Sequence, residues 1–125
     1  ASQGPLWSSG GDRGLYKTTD GGKTWNAIFT ISPDTGANEV QLDPHNPDIV
    51  YVAMWQRRRA TGQFVGGGPE SGIYKSTNGG RTFTKLTTGL PAGDMGRINI
   101  QVDGRVKPTR VYAMIEALAE ERGFY

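Results

Sequence analysis

Cysteine is absent from the 125 residues, which excludes a disulfide framework and any thiolate metal site. The compartment stays open on that ground. Histidine occurs once, as His45, and no Ser-His-Asp or Cys-His arrangement is present for nucleophilic catalysis. No stretch approaches the ~18 consecutive apolar residues of a membrane-crossing helix. The opening Ala1–Pro5 has neither a basic n-region nor an apolar h-region, so no signal peptide is expected there, and a start at Ala1 is compatible with a processed or excised end. Neither charge sign dominates: the formal net charge is +2 and the basic residues are scattered, which argues against general nucleic-acid binding. Glycine pairs are frequent, but they sit in hairpin turns rather than in a phosphate-cradling loop, so no cofactor is expected.

What the chain has is glycine and turns. Nineteen glycines and seven prolines accompany 35% hydrophobic and 21% charged residues, a balance that suits a turn-rich all-β protein and not a disordered one. Gly14–Trp25 returns 58 positions later as Gly72–Phe83, with seven of twelve positions identical and the rest exchanged like for like. A repeat of this kind makes the chain an array of one supersecondary unit.

Each copy reads as a hairpin. Leu15–Lys17 supply one strand, Asp20–Gly22 the turn and Trp25–Ile28 the return, with glycine at the positive-φ positions of the turn. Between the copies, Val40–Asp43 and Ile49–Trp55 read as strands flanking a turn over Pro44–Asp48, because Val, Ile, Tyr and Trp favour the pleat and Asp-Pro and Asn-Pro favour the turn. That half recurs as Arg97–Asp103 and Arg110–Ile115. The unit is therefore strand A, strand B, strand C, box turn, strand D. Stacking such sheets around an axis buries both faces of each. The expected fold class is all-β: a fragment of a β-propeller built from four-stranded antiparallel blades, one complete and two partial. Residues 1–31 are expected to end one blade (with a tail of strand B at Leu6–Trp7), 38–90 to form a whole one, and 97–125 to start the next. Gly123–Tyr125 aligns with Gly14–Tyr16, so the chain reads as a piece of a longer one.

The two boxes resemble Asp-boxes, the bacterial neuraminidase (BNR) repeat Ser/Thr-x-Asp-x-Gly-x-Thr-Trp/Phe. The matching residues are Thr18, Asp20, Gly22, Thr24 and Trp25, then Ser76, Asn78, Gly80, Thr82 and Phe83. The motif recurs in sialidases, xyloglucanase-type glycoside hydrolases and sortilin-type receptors. The whole chain is most similar to secreted bacterial proteins with sortilin-like repeat propellers, often labelled glycosyl hydrolases. That resemblance implies an extracellular or periplasmic location and a peripheral, structural box. Physically, Asp20 is expected to accept turn amides, Thr24 to tie the hairpin and Trp25 to pack between sheets. Asn78 keeps an acceptor oxygen without the charge, so a weaker lock is expected in the second copy.

Meander topology places the A–B turns and box turns at one end, and the B–C and D–A loops at the other. The D–A loops are Ser32–Ala37 and Thr88–Gly96. The B–C loop Gln56–Ser71 is long and joins Arg57, Arg58 and Arg59 to Trp55 and Phe64 before a Gly66–Gly68 hinge. Two readings stand for it. One is an arginine run that caps Asp34 or Glu70 or packs on an adjoining domain. The other is a carboxylate site for a peptide, a protein or an acidic sugar. A third loop, Glu116–Gly123, offers Glu116, Glu120 and Glu121 as partners for the arginines.

A glycosidase needs two carboxylates roughly 5–10 Å apart. Asp34, Asp94, Glu70 and Glu116 lie in loops at the appropriate end, but none sits in a catalytic motif. Three consecutive arginines also cannot form a sialidase triad, which draws on several blades. No catalytic residue and no metal site is therefore assigned, although the Asp-rich turns leave weak calcium binding open. The functional expectation is a non-catalytic protein- or peptide-binding or scaffold module of a larger secreted protein. Its partners would be the rest of the propeller or a second copy, then a peptide, protein or carbohydrate, with no nucleic acid and no membrane span. Two alternatives are a glycoside hydrolase with its carboxylates in other blades, and a structural element of an extracellular assembly.

Overall fold

A computed structural model describes residues 1–117 and 123–125. Among them there is no helix, and all regular structure is antiparallel strand. The first sheet pairs β1 (Leu15–Lys17) with β2 (Asn26–Phe29). Next come β3 (Thr35–Asp43) and β4 (Asn46–Gln56), followed by a small hairpin of β5 (Arg58–Ala60) and β6 (Gln63–Val65). β7 (Gly72–Ser76) and β8 (Thr84–Lys85) complete a four-stranded sheet of order β3-β4-β7-β8. The last sheet has order β11-β10-β9, from β9 (Ile98–Asp103), β10 (Arg110–Ile115) and β11 (Gly123–Phe124).

The four-stranded sheet is apolar on both faces because side chains alternate along each strand. Val50, Val52 and Met54 of β4 share one buried cluster with Leu15 of β1 and Ala37 of β3, edged by Ile28, Phe29 and Ile31. Tyr51, Ala53 and Ile73 turn the other way and join Ile98, Ile100, Ala113 and Ile115 of the last sheet. Fully burying an aliphatic side chain such as Val52 or Ile98 contributes roughly 1.5–3 kcal/mol, and both residues have no exposed surface. Packing on the two faces, rather than strand propensity, therefore holds this sheet in place.

The repeat recurs in register. Gly14 bridges Ser2, Gly72 pairs with Met54, and Gly123 pairs with Ile115. Each glycine thus pairs with the segment before it, Gly14 by an isolated bridge and the other two within sheets. Leu6–Trp7, the expected tail of strand B, lie outside any strand. The Leu6 carbonyl instead accepts from Arg59 N at 2.9 Å.

β3 begins five residues before the expected strand. Thr35, Gly36 and Ala37 are buried beside the N-terminal segment. Ala37 N donates to Ser2 O at 2.9 Å, and a Cβ on Gly36 would stand 2.7 Å from the Gln3 Cα. A bulge between Ala37 and Glu39 leaves Asn38 unpaired on the ladder, which re-aims its side chain. Asn38 Nδ2 donates to Ile98 O at 2.7 Å, and its Oδ1 accepts from Gln3 at 2.6 Å. Beside it Glu39 Oε2 accepts from Ile100 N at 2.9 Å. These bonds tie β3 to β9 across the junction between two sheets.

Candidate functional site

Both boxes adopt one hydrogen-bonded turn, in two different sheets. In the first, Thr18 Oγ1 accepts from Gly22 N at 2.9 Å and donates to Asp20 Oδ1 at 2.8 Å. Asp20 accepts Thr24 N at 2.9 Å and the Thr24 hydroxyl at 2.6 Å. In the second, Ser76 Oγ accepts Gly80 N at 2.9 Å and donates to Asn78 Oδ1 at 2.9 Å, while that oxygen takes Thr82 N at 3.0 Å. One bond reverses polarity: Asn78 Nδ2 donates to Thr82 Oγ1 at 2.7 Å, where Thr24 donates to Asp20. Asn78 thus replaces every contact of Asp20, and what it lacks is charge. Gly21, Gly22, Gly79 and Gly80 all have φ between +71° and +92°, a region that disfavours any side chain. Hydrogen bonds from Thr24 and Thr18 hold the Asp20 carboxyl down at about 2.

The aromatic that closes each box differs in its surroundings. Phe83 stacks on Phe29 with centroids 4.5 Å apart, and Tyr74 tilts onto the same ring at 5.2 Å. Trp25 was expected between sheets as well, yet it is 59% exposed. Phe83 has β2 to pack against, whereas Trp25 lies with Tyr16, Ser2 and Asp12 around an open hollow.

Box and A–B turns meet at one end of the sheets. Gly79 N donates to Asp48 O at 2.9 Å, and Lys17 Nζ to Gly79 O at 3.3 Å. His45 belongs to this end too, its Nε2 hydrogen-bonded to the Gly104 carbonyl of the next turn. It is an exposed turn residue, remote from the loops considered next.

At the opposite end the B–C and D–A loops converge. Trp55 Nε1 donates to Gly66 O at 2.8 Å. Gly68 N donates to Met95 O at 3.1 Å. A Cβ on Gly67 would sit 2.7 Å from the Met95 oxygen, and one on Gly68 would sit 2.2 Å from Gln56 Oε1. None of Gly66–Gly68 has positive φ. These glycines permit close packing of the β5–β6 hairpin on the Met95–Gly96 backbone, and so they are not the hinge that their composition suggests.

The arginines separate by partner. Arg58 lies 3.8 Å from the Asp34 carboxylate and donates to Ser9 Oγ at 3.2 Å. Arg57 stacks on Trp55 at 4.7 Å, and Arg59 lies 4.8 Å over Phe64 and 6.0 Å from Trp7. Burial, then the charges of Arg59 and Arg97, push the Arg57 guanidinium below its usual range. Its Nε is buried without a hydrogen-bond partner.

Two arginines were not singled out in the sequence. Arg13 is buried and donates to the carbonyls of Gln3, Pro5, Ser8 and Asp34 at 2.6–3.3 Å. Its signal is positional: it stands immediately before the box glycine, as Ser71 does in the second copy. Ser71 is also buried, and its Oγ accepts Gln56 N at 2.9 Å. Arg97 follows Gly96, and no local pattern marks it out.

Three of the four candidate carboxylates at this end tie one segment to another, and Asp94 is exposed. Asp34 accepts from Ser9, Glu70 from the Ser32 and Thr35 hydroxyls, and Glu116 from Arg97 N at 3.3 Å. Glu120 and Glu121, the other expected partners of the arginines, lie outside the described residues. Among the described residues, no cluster of three or more His, Asp or Glu is placed to hold a metal ion, and no helix is long and apolar enough to cross a membrane. No protein-family model matches the chain, nor does any curated protein or solved structure.

Proposed function

We propose that this chain is part of an Asp-box β-propeller that acts as a non-catalytic protein- or peptide-binding module of a larger secreted protein. One observation carries the reading. At the end where B–C and D–A loops meet, three of the four candidate carboxylates, Asp94 excepted, are engaged in hydrogen bonds between loops, while the guanidinium groups of Arg57 and Arg59 stand beside aromatic rings without an acidic partner among the described residues. Chemistry on a glycosidic bond needs a carboxyl free to donate a proton and a second one facing it. Recognition needs fixed donors and apolar surface, and arginine with tryptophan and other aromatics is the composition of interface centres. The propeller part of the proposal draws support from the two like hairpins in successive sheets and from the grouping of turns at opposite ends.

An array of peptides and glycans probed with the purified chain tests this, run beside an assay for reducing ends released from the same glycans. We expect capture of peptide ligands and no release of sugar. Hydrolysis that co-purifies with the chain would refute the non-catalytic reading.

A further inference from the structure

Resting on that binding-module reading, the arginines point to a specific kind of partner. The guanidinium groups of Arg57, Arg59 and Arg97 make no hydrogen bond or ion pair among the described residues, whereas Arg58 is paired with Asp34. They belong to one site through the backbone. Trp55 carries Arg57 on its ring and donates to Gly66 O. Gly66 and Gly67 in turn lie on Met95 and Gly96, since a Cβ on Gly96 would stand 2.9 Å from Gly66 O. Arg97 is the next residue.

Stacking fixes the plane of a guanidinium over an aromatic face and leaves its edge N–H groups open for bidentate contact with carboxylates. Two such groups, Arg57 and Arg59, with Arg97 from the next loop, match several carboxylates rather than one. Trp55 carries Arg57 on one face, and Phe64 carries Arg59 on one face with Gly66 close to its edge. Trp7 and Phe64 keep 67% and 57% of their surface exposed at the margin, which suits the apolar side chains of a peptide.

We propose that Arg57, Arg59 and Arg97, framed by Trp7, Trp55 and Phe64, dock an acidic peptide segment of a partner protein that presents two or more Asp or Glu carboxylates. Apolar residues between those carboxylates lie against Trp7 and Phe64. Because the contacts are charged and partly exposed, binding weakens as salt rises and the charges are screened.

The test is a titration of the full chain with a fluorescent hexapeptide alternating glutamate and leucine, its glutamine counterpart, and an oligogalacturonate of equal charge. The acidic peptide is expected to bind at low salt, the glutamine peptide at least tenfold more weakly, and the oligouronate more weakly than the peptide. Arg57→Ala and Arg97→Ala should each weaken peptide binding about tenfold, the scale of a lost charged hydrogen bond, while Lys23→Ala at the opposite end changes nothing. Arg57→Lys keeps the charge without the fork and should fall between. It also serves if Arg57→Ala lowers the melting temperature. Equal binding by an Arg57→Ala/Arg97→Ala variant, no binding of the acidic peptide, or tighter binding of the uronate would overturn the proposal. The binding-module reading survives those outcomes if the array still captures a partner, and falls separately if the array is silent and sugar is released.

Discussion

Asp20 and Asn78 occupy the same place in two copies of one turn and accept the equivalent backbone amides, so they differ in the charge of Asp20 and in the direction of one side-chain hydrogen bond. Its carboxyl is depressed from 3.8 to about 2 by bonds that favour the ionised form. A depressed carboxyl contributes stability that is complete above its unfolded value and is lost as pH falls through its folded value. The first turn should therefore loosen between about pH 4 and pH 2, while the second stays unchanged. The Thr24 and Thr82 amide resonances followed through an acid titration check this, and Asp20→Asn should make the two turns alike. A Thr24 amide that is flat across that window would show that Asp20 does not hold the turn through its charge. The weaker lock expected of Asn78 has no counterpart in lost contacts, because an amide both accepts and donates where a carboxylate only accepts. Arg13 illustrates the opposite lesson. One side chain satisfies four loop carbonyls from distant segments, and only its place before the box glycine marks it in the sequence.

Among the elements, the β5–β6 hairpin departs most from expectation. The segment Gln56–Ser71 reads as a long loop with a glycine hinge; part of it folds instead into this hairpin, and the glycines that follow press on Met95–Gly96. A residue with a side chain at Gly67 must push back the Met95 carbonyl. Gly67→Ala is expected to destabilise the protein by about 1–3 kcal/mol, the usual cost of overpacking. Gly62→Ala at the hairpin tip meets no atom within 4 Å and carries only the strain of a φ of +75°, about 1–2 kcal/mol. Thermal or urea unfolding of the two variants ranks them. If Gly67→Ala costs no more than Gly62→Ala, the hairpin is not seated as described. The strands A, B, C and D were legible because alternation and turn residues are local. The early start of β3 was not, since it depends on a neighbouring segment, Ser2–Gln3, more than thirty residues away.

For the molecule as a whole, the outer sheets each keep an uncovered side that carries a large exposed apolar residue. Trp25 marks one, and Met114, 63% exposed, marks the other. The inner faces of the same sheets are buried against the four-stranded sheet, and equivalent positions carry similar residues: Tyr112 in β10 stands where Tyr51 stands in β4. Surfaces of this kind associate. The chain is expected to self-associate, with a melting temperature that rises with protein concentration, measurable by sedimentation and calorimetry over a hundredfold range. Trp25→Ser with Met114→Lys should reduce both effects, and a sharp melt of a monomer at every concentration would contradict the expectation.

The amino-acid order alone determined the all-β class, the two box turns and most strand positions. Each of these rests on residues within one hairpin: a hydroxyl or carboxylate two to four positions from its amides, a glycine where φ must be positive, an alternation of period two. The tertiary structure alone decided which arginines pair and which stay bare among the described residues, that Asn38 bulges out to reach Ile98, and that Arg97 comes to the loops of the preceding sheet. Those outcomes depend on how sheets stack, and stacking brings together side chains that are forty or sixty positions apart in the chain.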